Sequence, residues 1–262
     1  MLKSKTLQNI HAKRYIDTVF AEKLQEAGFV CPDDKHLCWY RVRNKEILDS
    51  IIFFSRWSNL PVWLDVAYGM QPLFSPPVFT NSVYFPKRPI YDPVCFQPTN
   101  IHEDGSSKMW KACYSEDILV LAPGYNGRGI YTLEQELLPL MENTKSYEDI
   151  YLHAKKLALE SNPHSTIEEA FWLASGAFID LIIYLNDQEL YPYCHERTSR
   201  AITWAERDCR RHPSRKDLKV ALQHWKERET AFTGGRDDYL KILEQRKEEN
   251  IQFLNKKFGI IV

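Results

Sequence analysis

The sequence predicts an α+β fold, in which an N-terminal helix packs on an antiparallel β-meander and a helical bundle follows. Two observations carry this. Three adjoining segments between Leu37 and Phe74 read as strands, and from Tyr131 onward the apolar pattern is helical to the end. A proline-rich stretch separates the two patterns, so the division expected is a helix-plus-sheet domain over 1–125 and an α-helical domain over 131–262, packed on it.

The first helix is expected over 4–27. Leu7, Ile10, Ile16, Val19, Phe20, Leu24 and Ala27 recur at steps of three to four, and Gly28 stands where a C′ glycine ends a helix. The strands follow at Leu37–Arg43, Glu46–Ser55 and Val62–Leu73. Val62, Leu64, Val66, Tyr68 and Met70 alternate with other residues, which places one side of the third strand against a core. The second strand is apolar at both parities (Ile47, Leu48, Ile51, Ile52, Phe53, Phe54) and so asks for cover on both faces. Asn44-Lys45 suits a two-residue hairpin turn. That turn sets Arg43 opposite Glu46 and Asp49 opposite Tyr40, which sends Arg41 to the other face unless the register slips by one.

Between Phe74 and Asn100 stand Pro76, Pro77, Pro86, Pro89, Pro93 and Pro98. Proline cannot donate to a ladder, so Val78–Phe85 and Tyr91–Phe96 are expected as edge strands or extended connections. Thr99–Lys108 reads as a polar loop and Ile118–Ala122 as a short strand. Helices are then expected near 132–143, 146–160, 166–186, 189–211, 215–231 and 236–257. Thr132 with Gln135 resembles a capping box, and Ser146 and Ser214 are N-cap positions. His212-Pro213 and Gly234-Gly235 are short links that make neighbouring helices antiparallel.

The formal net charge of −1 gives the chain as a whole no electrostatic draw toward nucleic acid or acidic membranes. The longest apolar run, Phe171–Leu185, is interrupted by Asp180 and too short to span a bilayer. Cys31, Cys38, Cys95, Cys113, Cys194 and Cys209 form no CxxC pair. With no export signal at the start, they read as reduced thiols of a cytoplasmic protein.

Leu24, Gly28-Phe29, Trp39-Tyr40-Arg41, Ile51–Ser55 and Trp63-Leu64-Asp65-Val66 form a pattern that resembles a bacterial family described as a domain of unknown function. The resemblance covers roughly residues 7–72. It implies a sheet domain in a bacterial cytoplasmic protein and carries no activity, cofactor or catalytic residue.

Four places could hold chemistry. Gly124-Tyr125-Asn126-Gly127-Arg128-Gly129 precedes a helix start, where successive N–H groups and Arg128 could hold an anion. The spacing matches neither the P-loop nor the dinucleotide fingerprint, and a flexible joint explains the glycines equally. Asp49 and Asp65 lie inside apolar strands. If they shared a recess, one could work as an acid or base; an ion pair with Arg41 or a solvated face is the simpler explanation. Cys31, His36 and Cys38 offer three ligands where zinc needs four, and Cys194 and His195 diverge on a helix, so no metal or cofactor is expected. Arg197–Lys216 is a basic stripe with Trp204, readable as a phosphate-binding face or as an ordinary solvated one. The leading expectation is a non-enzymatic cytoplasmic protein-interaction protein. An enzyme or anion binder using Gly124–Gly129 ranks second and nucleic-acid binding third.

Overall fold

The computed structural model describes residues 16–31, 38–56, 62–75, 95–96, 110–114, 119–121, 132–161 and 176–260. It has the α+β architecture read from the sequence. Strands β1 (Cys38–Arg43), β2 (Ile47–Arg56), β3 (Val62–Pro72), β4 (Cys95–Phe96), β5 (Trp110–Tyr114) and β6 (Leu119–Leu121) form one antiparallel sheet. Its order is β1-β2-β3-β5-β6, with β4 also on β3. The proline-flanked β4 is only two residues long. β5 was not anticipated, because Trp110–Tyr114 is too short to show an alternation. Val78–Phe85, residues 91–94 of the expected Tyr91–Phe96 strand and the Thr99–Lys108 loop lie outside the described residues.

Residues 16–19 are helical and lead, through a turn at Phe20, into α1 (Ala21–Glu26). Gly28 ends it as expected. At φ 82° it lets the Phe29 N–H reach back to the Leu24 carbonyl at 2.8 Å, the closure of a Schellman turn. Val30 then pairs with Tyr40, which ties α1 to the sheet.

The hairpin register departs from expectation by one residue. Asn44 and Lys45 do form the turn, at φ 52° and 58°, and the Glu46 N–H donates to the Arg43 carbonyl at 3.0 Å. The ladder, however, resumes with Arg43 opposite Ile47. Glu46 is therefore an extra residue, a bulge, and its carbonyl accepts from Leu73 of the next segment instead. The consequence is large: Asp49 comes opposite Arg41, not Tyr40.

The helical half comprises a π-helical segment, Thr132–Leu137, running into α2 (Leu138–Asn143), then α3 (Tyr147–Ser161), α4 (Gly176–Leu185), α5 (Tyr191–Arg211), α6 (Lys216–Phe232) and α7 (Arg236–Phe258). Ser146 caps α3 as expected. Its hydroxyl accepts from the Asp149 N–H at 3.1 Å while Asp149 accepts from the Ser146 N–H at 3.0 Å. Ser214 is not the cap of α6; Arg215 occupies that position, without a side-chain cap.

The two-sided β2 receives two-sided cover. On one face Trp39, Ile47, Ile51, Tyr68 and Met70 join Ile16, Phe20 and Leu24 with Met141, Ile150, Phe178 and Ile182 in the main core. On the other, Cys38, Tyr40, Leu48 and Leu73 pack with Leu254 and Ile260 at the end of α7. The C-terminal helices thus serve both faces, not one. A triangle of rings, Phe74, Tyr147 and Tyr184, with centroids 5.1–5.2 Å apart, joins the end of β3 to α3 and α4. Helix α4 is buried from Gly176 to Ile183, which explains its apolar composition all round. No helix among the described residues is long and apolar enough to cross a membrane.

Candidate functional site

The register shift at Glu46 builds the first polar centre. Asp49, with no exposure, takes four N–H groups from two guanidiniums. Arg41 donates at 3.1 and 2.8 Å, and Arg43 at 2.6 and 2.9 Å. The arginines reach onward: Arg41 donates to the Ala27 carbonyl at the end of α1 at 2.9 Å and pairs with Glu142 in the helical half, and Arg43 donates to the Thr144 carbonyl. Arg41 also lies over the Phe29 ring at 4.7 Å. Burial pushes the Asp49 carboxyl up from the ordinary aspartate value, and the hydrogen bonds and charge of Arg43, then Arg41, oppose it. A carboxylate accepting four N–H bonds has little acceptor capacity left for a substrate proton. Asp49 is a clamp between sheet and helices.

A second centre sits where α4, α6 and α7 meet. Asp180, also fully buried, accepts from Arg228 Nε at 2.6 Å and Nη2 at 3.0 Å, and from the Tyr239 hydroxyl at 2.6 Å. Burial pushes the Tyr239 phenol up, so it stays protonated and donates. Arg246 approaches Asp180 at 3.9 Å and pairs with Glu227. Two cations thus face two anions. His224, on α6 beside this centre, has its pKa pushed down to about 4 by burial and then by Arg246 and Arg228. Gly176 makes the close approach possible, since a Cβ there would lie 2.6 Å from the Arg228 guanidinium.

Beyond Arg228 the α5–α6 hairpin changes character. From Ile202 to Gln223 no described residue is buried, so the outer hairpin is a two-helix finger in solvent; at its base Trp225 packs against the main core and Glu227 pairs with Arg246. Partly buried Ile202, Ala205, Cys209, Leu218, Leu222 and Trp225 recur at helical spacing and supply its seam. Glu206–Lys226 at 2.9 Å and Ser199–Glu229 at 3.4 Å tie the arms together. Trp204 and Val220 are 47% and 54% exposed, apolar surface that the finger leaves in water. The Arg197 guanidinium lies 5.5 Å from the Trp204 ring and 5.8 Å from Trp225, and Arg228 lies 4.6 Å from the other tryptophan neighbour it shares, Trp225. A ladder of rings and guanidiniums therefore runs from Asp180 out to Trp204.

Of the residues singled out from the sequence, Arg41 and Asp49 are brought together, as an ion pair. Asp65 pairs with Phe54 and Asp49 with Met70. Gly124, Asn126, Gly127 and Arg128 lie outside the described residues. Cys194 is buried, and burial followed by the Asp187 charge pushes its thiol up to about 12, while neighbouring His195 stacks on Phe232 at 5.4 Å. No cluster of three metal-ligating side chains occurs among the described residues. The Asp180 centre was not read from the sequence; its one signal was a carboxylate interrupting an apolar run.

No protein-family model matches this chain, and no curated protein or solved structure matches it at a significant level.

Proposed function

We propose that this chain is a non-enzymatic binding protein of the bacterial cytoplasm and that the α5–α6 finger is its docking element. The observation that carries the reading is the run from Ile202 to Gln223 without a buried residue among those described, which holds an exposed tryptophan and valine. A folded chain gains nothing in stability from holding two long helical arms clear of its core. Such an arm is explained by what it meets. The two buried carboxylates support the same reading from the other side, because each is committed to arginine partners that hold the fold. Cys31, Cys38, Cys194 and Cys209 are unbridged, in keeping with a reducing compartment.

The test is affinity capture from native lysate with the full chain and with a variant carrying Arg210→Glu, Arg211→Glu and Arg215→Glu. Because acids in the last turn of a helix oppose its macrodipole, the variant's melting is compared with that of the wild type, and Arg→Gln at the same positions serves as the milder change. The reading expects a discrete retained species that the variant loses. An empty capture, or one identical for both proteins, would overturn it.

A further inference from the structure

The finger carries a second pattern besides its exposure. Tyr193, Arg197, Arg200, Trp204, Arg207 and Arg211 follow one another at steps of four and three along α5, so they form a single stripe. In the stripe each aromatic is followed by two arginines, and Tyr193 and Trp204 at its two aromatic positions are 40% and 47% exposed. Arg215, Lys216 and Lys219 extend the positive charge around the tip. Residues 197–219 contain eight Lys or Arg against three Asp or Glu, in a chain whose formal net charge is −1. Helix α5 contains five arginines and no lysine.

We infer that the stripe binds single-stranded nucleic acid, with the exposed Arg200, Arg207 and Arg211 on phosphates and Trp204 and Tyr193 as stacking surfaces for bases. This rests on the docking role of the finger proposed above. An acidic protein segment would be met by the positive charge alone and gives no reason for exposed aromatics between the cations. Guanidinium groups match phosphate in a bidentate fork, which a run of lysines would not. Helix α5 rises about 1.5 Å per residue, so Tyr193 and Trp204 stand about 16 Å apart along the helix axis. That span covers several nucleotides of an extended strand, with exposed Arg200 between the two rings, where a phosphate would compete with Glu196, its partner at 2.5 Å. Bases paired in a duplex are not free to stack on the rings, which favours the single strand. Arg197, held between Trp204 and Trp225, fixes the tryptophan that a base would meet.

The experiment uses the full chain and fluorescence anisotropy of labelled uridine and deoxythymidine 20-mers, a matched duplex, poly-glutamate, and vesicles containing phosphatidylserine. Binding to the single strands is expected to weaken about 50-fold between 50 and 200 mM salt if roughly four phosphates are neutralised. Trp204→Ala is expected to cost roughly tenfold or more, and Trp204→Phe to recover most of it, while both melt at the wild-type temperature. The uridine and deoxythymidine arms tell RNA from DNA. No single-strand binding at 50 mM salt would overturn the inference. So would equal binding to poly-glutamate or vesicles with no effect of Trp204→Ala. If lysate capture by the full chain survives nuclease treatment and still depends on Arg210, Arg211 and Arg215, the docking role stands and the nucleic-acid inference falls.

Discussion

Arg228 and Arg211 stand on the two arms of one hairpin, and their surroundings could hardly differ more. Arg228 is buried, its guanidinium shared between Asp180 and the Trp225 ring. Arg211 is exposed near the tip, in a local excess of positive charge. At the root each charge has a counter-charge and a fixed geometry, so it specifies how α4, α6 and α7 meet. At the tip basic residues outnumber acidic ones and are exposed, and on the reading proposed above they serve a neighbour. The lesson is that arginine content alone identifies neither role; burial and pairing separate them.

The root should dominate stability. Asp180→Ala leaves Arg228 and Arg246 facing each other without their shared carboxylate, and chemical denaturation should report a loss of about 3–5 kcal/mol. A loss under about 1 kcal/mol would mean that the two arginines find solvent, and the contrast between root and tip would collapse. Gly176→Ala is the next largest change. Its Cβ would press on the Arg228 guanidinium, and the expected cost is about 1–3 kcal/mol. In the Arg228→Met background the cost should shrink, which a double-mutant cycle measures.

Protonation offers a gentler way to disturb the root. His224 is held near pKa 4 in the folded chain, against 6.5 as its ordinary value. Below pH 6.5 the unfolded chain therefore binds a proton that the folded chain refuses. Stability contributed by neutral His224 is complete above pH 6.5, falls as the pH drops toward 4, and levels off beneath it. His224→Phe should flatten that part of the stability–pH curve. An unchanged slope would assign the dependence to other groups.

The smallest effects belong to exposed positions. Lys45→Gly should stabilise by about 0.5–1 kcal/mol, because a left-handed conformation is costly for any residue with a Cβ. Loss of stability there would mean that the turn relies on the Lys45 side chain.

Much of this was legible in the sequence and some was not, for physical reasons that particular residues show. Alternation through Tyr68 and Met70 located β3, and the 3.6-residue spacing with Ser146 and Gly28 located helices and their ends. The turn at Asn44-Lys45 was also legible. The bulge at Glu46 was not, because it arises from a hydrogen bond to Leu73, 27 residues away, that no local pattern records. That single residue decided whether Arg41 met Asp49. The Asp180 centre was further out of reach. Its partners Arg228, Tyr239 and Arg246 lie 48, 59 and 66 residues downstream on two other helices, and only their packing brings them together. The basic stripe was visible as composition, but its standing clear of the core on a two-helix finger was a property of the fold.

Whether the finger is the docking element is tested most directly by site-specific photocrosslinking in native lysate. The full chain would carry a benzoylphenylalanine in place of Val220 at the finger, or in place of Leu152, which is equally exposed at 53% on α3. The account predicts a discrete adduct from position 220 and none from position 152. Adducts from 152 alone, or the same adducts from both, would contradict it.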